Sequence, residues 1–146
     1  MITIGKLLDN KSHDIWNVGP EDSVLDALEI MNDKGIGALV VMQDKELIGI
    51  VSERDYARKV ALKGLTSKNT KIKDIMTRHV YFVSPDQQID ESMVIMTQNR
   101  IRHLPVMEKK EVLGMVSLGD VVKEIINEQQ YKIKKLENYI SWEEAY

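Results

Sequence analysis

At 146 residues, 43% hydrophobic and 29% charged, the chain has the length of one ordinary domain, or of two small ones sharing a core, and a globular composition. A net charge of −3 argues against nucleic acid or an anionic membrane as a primary partner, and the absence of cysteine excludes disulfides, thiolate metal sites and a cysteine nucleophile. No apolar run follows basic residues at the start, and no stretch approaches the roughly 18 apolar residues of a membrane span, so a soluble cytoplasmic protein is expected.

In chain order, Ile4 to Leu8 is a short helical lead-in. An extended piece, Val18-Gly19-Pro20, precedes a helix in which Val24, Ala27, Leu28 and Met31 follow the i, i+3, i+4, i+7 spacing of one buried face. Ser23 or Asp22 can cap its start, and Gly35 sits where a left-handed C-terminal cap belongs. Two strands follow, Ala38 to Met42 and Leu47 to Val51, across the polar turn Gln43-Asp44-Lys45. A second helix closes the unit. After the polar linker Thr66 to Thr70 and a second lead-in, Ile72 to Met76, the order repeats. Val83-Ser84-Pro85 leads to a helix on Ile89, Ser92, Met93 and Met96, then to strands His103 to Met107 and Val112 to Val116. Arg100 replaces the capping glycine, which predicts that this helix ends differently.

The two units are an internal duplication. Val18 to Val60 lies on Val83 to Ile125 without a gap, and about a third of the positions are identical. Each unit is too small to bury an adequate core alone, so the two are expected to clasp about a pseudo-twofold axis. The expected division is 1–65 for the first repeat with its lead-in, 66–128 for the linker and second repeat, and 129–146 for a helical tail. Val121, Val122, Ile125, Ile126, Gln129, Ile133, Leu136 and Ile140 give that tail a stripe. It either packs on its own domain or forms a dimer contact.

Each second strand leaves through a matched phrase, Gly49-Ile50-Val51-Ser52-Glu53-Arg54-Asp55 and Gly114-Met115-Val116-Ser117-Leu118-Gly119-Asp120. The glycine lets the backbone approach something flat. The serine stands at a strand-to-helix junction, where free backbone amides and a positive helix end favour phosphate. The aspartate falls beside it and can accept two hydrogen bonds, as a ribose diol offers. The same pattern also describes helix capping boxes, and the two readings are evenly balanced on the residues alone.

The ungapped duplication, the repeated phrase, the lead-in Lys73-Asp74-Ile75-Met76-Thr77 and the segment Arg102-His103-Leu104-Pro105-Val106 together resemble a pair of cystathionine-β-synthase (CBS) domains, in the manner of small proteins that are little more than one such pair. The resemblance implies a mixed α/β (α+β) fold of two β-α-β-β-α repeats. It implies two clefts between the copies that bind adenosine-containing ligands such as AMP, ADP, ATP, NAD or S-adenosylmethionine, and a module that is often a homodimer. By position, Asp55 and Asp120 would hold ribose hydroxyls, and Ser52 and Ser117 would contact ribose or phosphate. Adenine would sit between Trp16, Asn17, Val18 or Tyr81, Phe82, Val83 and the first strands at Ala38, Leu39, Val40 or His103, Leu104, Pro105. Ile50 and Met115 would form the floor. Arg54, Arg102 and His103 are expected to converge on phosphate, against the alternative that they are solvated or paired with carboxylates.

Catalysis has little support. Gly35-Ile36-Gly37 precedes a strand and lacks the last glycine of a dinucleotide fingerprint, no phosphate loop or nucleophile elbow occurs, and the three histidines lack metal-ligand spacing. The expected role is a regulatory module that changes conformation or dimer form on binding AMP, ADP or ATP, with AMP favoured, no catalytic cofactor and no metal. A sensor of NAD or S-adenosylmethionine, or a dimerising scaffold without ligand, is the alternative. The regulated partner is not legible.

Overall fold

The computed structural model describes residues 1–144; the last two residues of the expected tail lie outside them. The elements are α1 (Ile4–Asp9), β1 (Asn17–Val18), α2 (Val24–Lys34), β2 (Ala38–Gln43), β3 (Glu46–Ser52), α3 (Glu53–Tyr56), α4 (Ile89–Asn99), β4 (His103–Glu108), β5 (Glu111–Ser117) and α5 (Leu118–Glu144). A π-helical turn, Ala57–Ala61, extends α3, and a 3-10 turn, Ile72–Asp74, lies in the linker.

Both repeats fold by the same rules. Ser23 closes a capping box with Asp26 at the start of α2, while Asp22 instead accepts the Gly19 amide at 2.7 Å. The predicted apolar face is buried at Val24, Ala27 and Met31, and α4 buries Ile89, Ser92 and Met96 in the same way. The Ser92 hydroxyl satisfies itself on the Ile89 carbonyl. β2 pairs antiparallel with β3, Ala38 opposite Ser52 and Val40 opposite Ile50. β4 pairs with β5 in the equivalent register, His103 opposite Ser117 and Pro105 opposite Met115. β1 runs parallel to β2, and Val83 makes the matching single bridge to Val106. Both hairpins turn on two residues of positive φ, Asp44-Lys45 and Lys109-Lys110, the left-handed geometry that suits sheet twist.

The helix ends overturn one expectation. Arg100 takes the same left-handed conformation as Gly35, φ 54° against 64°, and its amide bonds Met96 O as Gly35 bonds Met31 O. A side chain in that region costs roughly 1 kcal/mol. The matched backbone after each helix fixes the strand that follows, so the duplicated geometry overrides residue preference.

Two apolar cores form, one per repeat, and the lead-ins are exchanged between them. Ile4, Leu7 and Leu8 of α1 pack with Val83, Ile89, Leu104 and Val116 of the second repeat. Ile72, Ile75 and Met76 pack with Val24, Leu39 and Val51 of the first. Equivalent backbone bonds tie them down: Gly5 N to Pro85 O and Ile4 N to Gln87 O on one side, Lys73 N to Pro20 O and Ile72 N to Asp22 O on the other. Each core is therefore completed by a segment that lies outside its own repeat, which holds the halves face to face.

Candidate functional site

Two clefts lie between the repeats, one of about 580 Å³ and one of about 480 Å³. Neither belongs to one repeat. The first takes Trp16 and the β2 residues Ala38 and Val40 from the first repeat, and Met115, Ser117 and Asp120 from the second. The second reverses the roles: Tyr81, Arg102 and His103 come from the second repeat, and Ile50, Ser52, Arg54 and Asp55 from the first. The two sets are related by the register of the duplication, which is the signature of the pseudo-twofold axis. Gly37, Ala38 and His103 border both clefts. The His103 ring lies where a Cβ on Gly37 would come within 3.2 Å of it, so the glycine makes room for this shared wall.

The phrase at each strand-to-helix junction closes a capping box and lines a cleft at once. Asp55 Oδ2 accepts the Ser52 amide at 2.9 Å, and the Asp55 amide donates to Ser52 Oγ at 3.3 Å. Asp120 Oδ2 accepts the Ser117 amide at 2.9 Å, and its own amide donates to Ser117 Oγ at 3.1 Å. The first helical amides are taken as well, Glu53 N by Gly37 O and Leu118 N by Arg102 O. The expectation of several free amides for phosphate is therefore corrected, because capping and cross-repeat bonds consume most of them. The phrase glycines are corrected too. Neither lines a cleft; a Cβ on Gly49 would meet Met76 Sδ at 2.8 Å and Thr77 O at 3.0 Å, and one on Gly114 would meet Leu8 at 2.9 Å. They admit the exchanged lead-ins, not a ligand.

Each aspartate also holds a lysine, from different places. Lys59, one turn along the helix, reaches Asp55 Oδ1 at 3.0 Å and Ile75 O at 2.8 Å. Lys11, from the segment after α1, reaches Asp120 Oδ2 at 2.5 Å and Met115 O at 2.8 Å. Burial pushes the Asp120 carboxyl up, but its bonds from Lys11 and Ser117 outweigh that and hold it below the usual range. The two carboxylates line separate clefts and form no acid–base pair.

Charge separates the clefts. The first carries Lys11 and Lys34 against Asp14 and Asp120, with the Lys34 ammonium 4.3 Å above the Trp16 ring. The second carries Arg54, Arg58, Arg100 and Arg102 against Glu53 and Asp55. Arg54, Arg102 and His103 do line one cleft, and Arg54 is fixed by donating to the Arg100 carbonyl at 2.7 Å. Burial, then Lys11, pushes the His103 pKa down; Arg102 and Arg54 add to this against the pull of Asp120, so protonation of the ring is disfavoured.

Of the other expected residues, Val18, Leu39, Val83 and Leu104 are buried in the two cores, Pro105 is buried in β4, and Asn17 and Phe82 are exposed; none of the seven lines a cleft. Strand alternation explains Leu39 and Leu104, since neighbours of Val40 and His103 must face the core. The expectations omitted Lys11, Lys34, Arg58, Thr77 and His79. His79, edge-on to Tyr81 at 5.4 Å, is the repeat equivalent of Asp14, so carrying the duplication two residues further back would have reached both.

A family model described as the CBS domain matches residues 11–62 and again 72–127. A protein from Burkholderia ambifaria, named as a candidate signal-transduction protein with CBS domains, is 45% identical in its solved structure, covers 87% of this chain and 96% of its own, and superposes with a TM-score of 0.84. The mitochondrial CBS domain-containing protein CBSX3 of Arabidopsis thaliana is 43% identical over 82% of this chain, which spans 61% of that relative's length. A CBS domain pair solved with 5′-methylthioadenosine and S-adenosyl-L-methionine shares the fold, with a TM-score of 0.77 at 22% identity over 88% of this chain and 98% of that one.

Proposed function

This chain belongs to the CBS domain family, and we propose that within it the chain is a regulatory module that binds adenosine-containing ligands in two unequal clefts. The observation that carries the proposal is the cross-repeat assembly of each cleft, with an aromatic side chain from one repeat and a serine–aspartate pair from the other. Such a site spans the interface, so a ligand bound there makes contacts to both halves at once. Asp120, whose second oxygen has no partner among the described residues, and Asp55 would take ribose hydroxyls. Trp16 and Tyr81 would flank the base, with Met115 and Ile50 beneath it.

The four arginines of the second cleft suit a nucleotide with several phosphates, and the balanced first cleft suits a ligand of lower charge such as AMP or a nucleoside. The fold has been solved around methylthioadenosine and S-adenosylmethionine in another protein, which supports the ligand class and keeps S-adenosylmethionine in the screen. Binding would shift the population of relative repeat orientations, with a coupling of about 1 to 3 kcal/mol to whatever reads them.

Thermal-shift and calorimetric titration with AMP, ADP, ATP, NAD and S-adenosylmethionine tests this, together with mass spectrometry of small molecules carried through native purification. A ligand at 100 times its dissociation constant adds about 2.7 kcal/mol. The expected result is two sites of different affinity, the tighter site for ATP being lost in Arg102→Ala. No stabilisation by any adenosine compound, with none co-purifying, would leave a scaffold without ligand.

A further inference from the structure

Helix α5 leaves the body with an apolar seam that none of the described residues of its own chain covers. Val121 is buried in the second core and Ile125 packs against it, but every side chain from Gln129 to Trp142 is exposed. Along this length Val122, Ile126, Gln129, Ile133, Leu136 and Ile140 are separated alternately by four and three residues, the period of a coiled-coil seam. Four of these are large aliphatic side chains at least half exposed: Ile126 50%, Ile133 54%, Leu136 62% and Ile140 55%. The body holds the helix through Val121 and Ile125, about a third of a turn away, so it leaves the seam open.

The residue types choose the occupant. Isoleucine fills every first seam position (Ile126, Ile133, Ile140), and the second positions hold Val122, Gln129 and Leu136. β-branched residues at the first and leucine at the second favour two parallel strands, and a lone polar residue fixes register. Lys132 and Glu137 flank the seam on opposite sides. In a parallel, in-register pair each lysine faces the partner's Glu137, twice by symmetry, whereas a symmetric antiparallel pair sets lysine near lysine.

We infer that the end of α5 forms a parallel two-stranded coiled coil with a second copy of this chain, in register at Gln129 and closed by Lys132 against the partner's Glu137. This joins two cleft-bearing bodies side by side and does not depend on what the clefts bind. The chain's lack of cysteine makes the test direct, since an introduced thiol has only its own copy to meet. In the full chain, Leu136→Cys should oxidise almost completely to a disulfide-linked dimer at micromolar concentration, while Asn138→Cys, on the opposite face, should not. Equal crosslinking of the two, or none with Leu136→Cys, overturns the inference. By sedimentation equilibrium, Lys132→Glu should weaken self-association at least tenfold, and Lys132→Glu with Glu137→Lys should restore it. If the double change restores nothing, the parallel register is wrong. Neither exchange touches the clefts, and circular dichroism checks that the fold persists.

Discussion

The two clefts share a backbone plan and differ in what the duplication has not kept. Junction, serine, aspartate and aromatic wall correspond position by position, yet one cleft sets two lysines against two aspartates and the other sets four arginines against two carboxylates. Even the shared aspartates differ. Asp55 is held by Lys59 from its own helix, and Asp120 by Lys11 from the far end of the chain. The comparison teaches that duplication preserves the groups that shape the crevice and lets the groups that select the ligand diverge, because shape is coupled to two cores and charge is coupled to solvent.

The sharpest way to break the symmetry lies under the clefts, at the phrase glycines. A Cβ on Gly49 meets the Thr77 backbone at 3.0 Å as well as Met76, but a Cβ on Gly114 meets only the flexible end of Leu8. Backbone held by paired bonds to Ile50 cannot retreat, whereas a leucine can change rotamer. Gly49→Ala should therefore cost about 3 kcal/mol and Gly114→Ala about 1 kcal/mol, read as urea midpoints. Equal costs would mean that α1 is held as rigidly as the linker.

Next in size are the cleft carboxylates. Asp55→Ala should cost its own cleft a charge-assisted pair of bonds, roughly 2 kcal/mol or about thirtyfold in affinity, and leave the other unchanged. Asp120→Ala should do the reverse. Each change should also free a lysine, Lys59 or Lys11, and open a helix cap, lowering the stability of the unliganded protein by about 1 kcal/mol. Calorimetry on each variant separates the sites; one variant abolishing both would show that the clefts are not independent.

How far the sequence could be read follows the same division. Strands, helices and the carboxylate phrase were legible because the repeat states them twice and local periodicity carries them. The exchange of lead-ins was not, since Leu8 finds Gly114 across about 100 residues of chain and no local pattern records it. The glycines were misread for that reason: a close approach was correctly inferred, and the approaching group was protein. The aromatic positions Trp16 and Tyr81 reached the clefts while Val18 and Val83 did not, because each aromatic precedes the strand pairing and the valines, bridged to Val41 and Val106, turn into the cores.

Arg100 turns the comparison into a trade between stability and charge. It holds a left-handed conformation that Gly35 adopts freely, and it lines the more basic cleft. Arg100→Gly should gain about 1 kcal/mol of stability and weaken ATP, not AMP, while Gly35→Ala should lose about 1 kcal/mol. If Arg100→Gly gained stability without loss of ATP affinity, the arginine would have no part in the site.

The smallest expected effect is on pH, and it falls on the one titratable side chain that lines both clefts. His103 has a folded-state pKa below the usual 6.5, set first by burial and then by Lys11, with Arg102 and Arg54 adding to it and Asp120 opposing. Between the folded and unfolded values the unfolded chain binds the extra proton, so this contribution to stability is complete above about pH 6.5 and is lost as pH falls through the lowered folded pKa. His103→Gln should flatten the fall in urea midpoint between pH 7.5 and 5.5. A bound phosphate near the ring opposes the surrounding cations and raises the pKa, so ATP should remove part of the same slope and bind more tightly at the lower pH. AMP, if it occupies the balanced cleft with its phosphate turned away, should leave the slope in place. Equal effects of the two nucleotides would mean that His103 reports on the interface as a whole and does not distinguish the clefts.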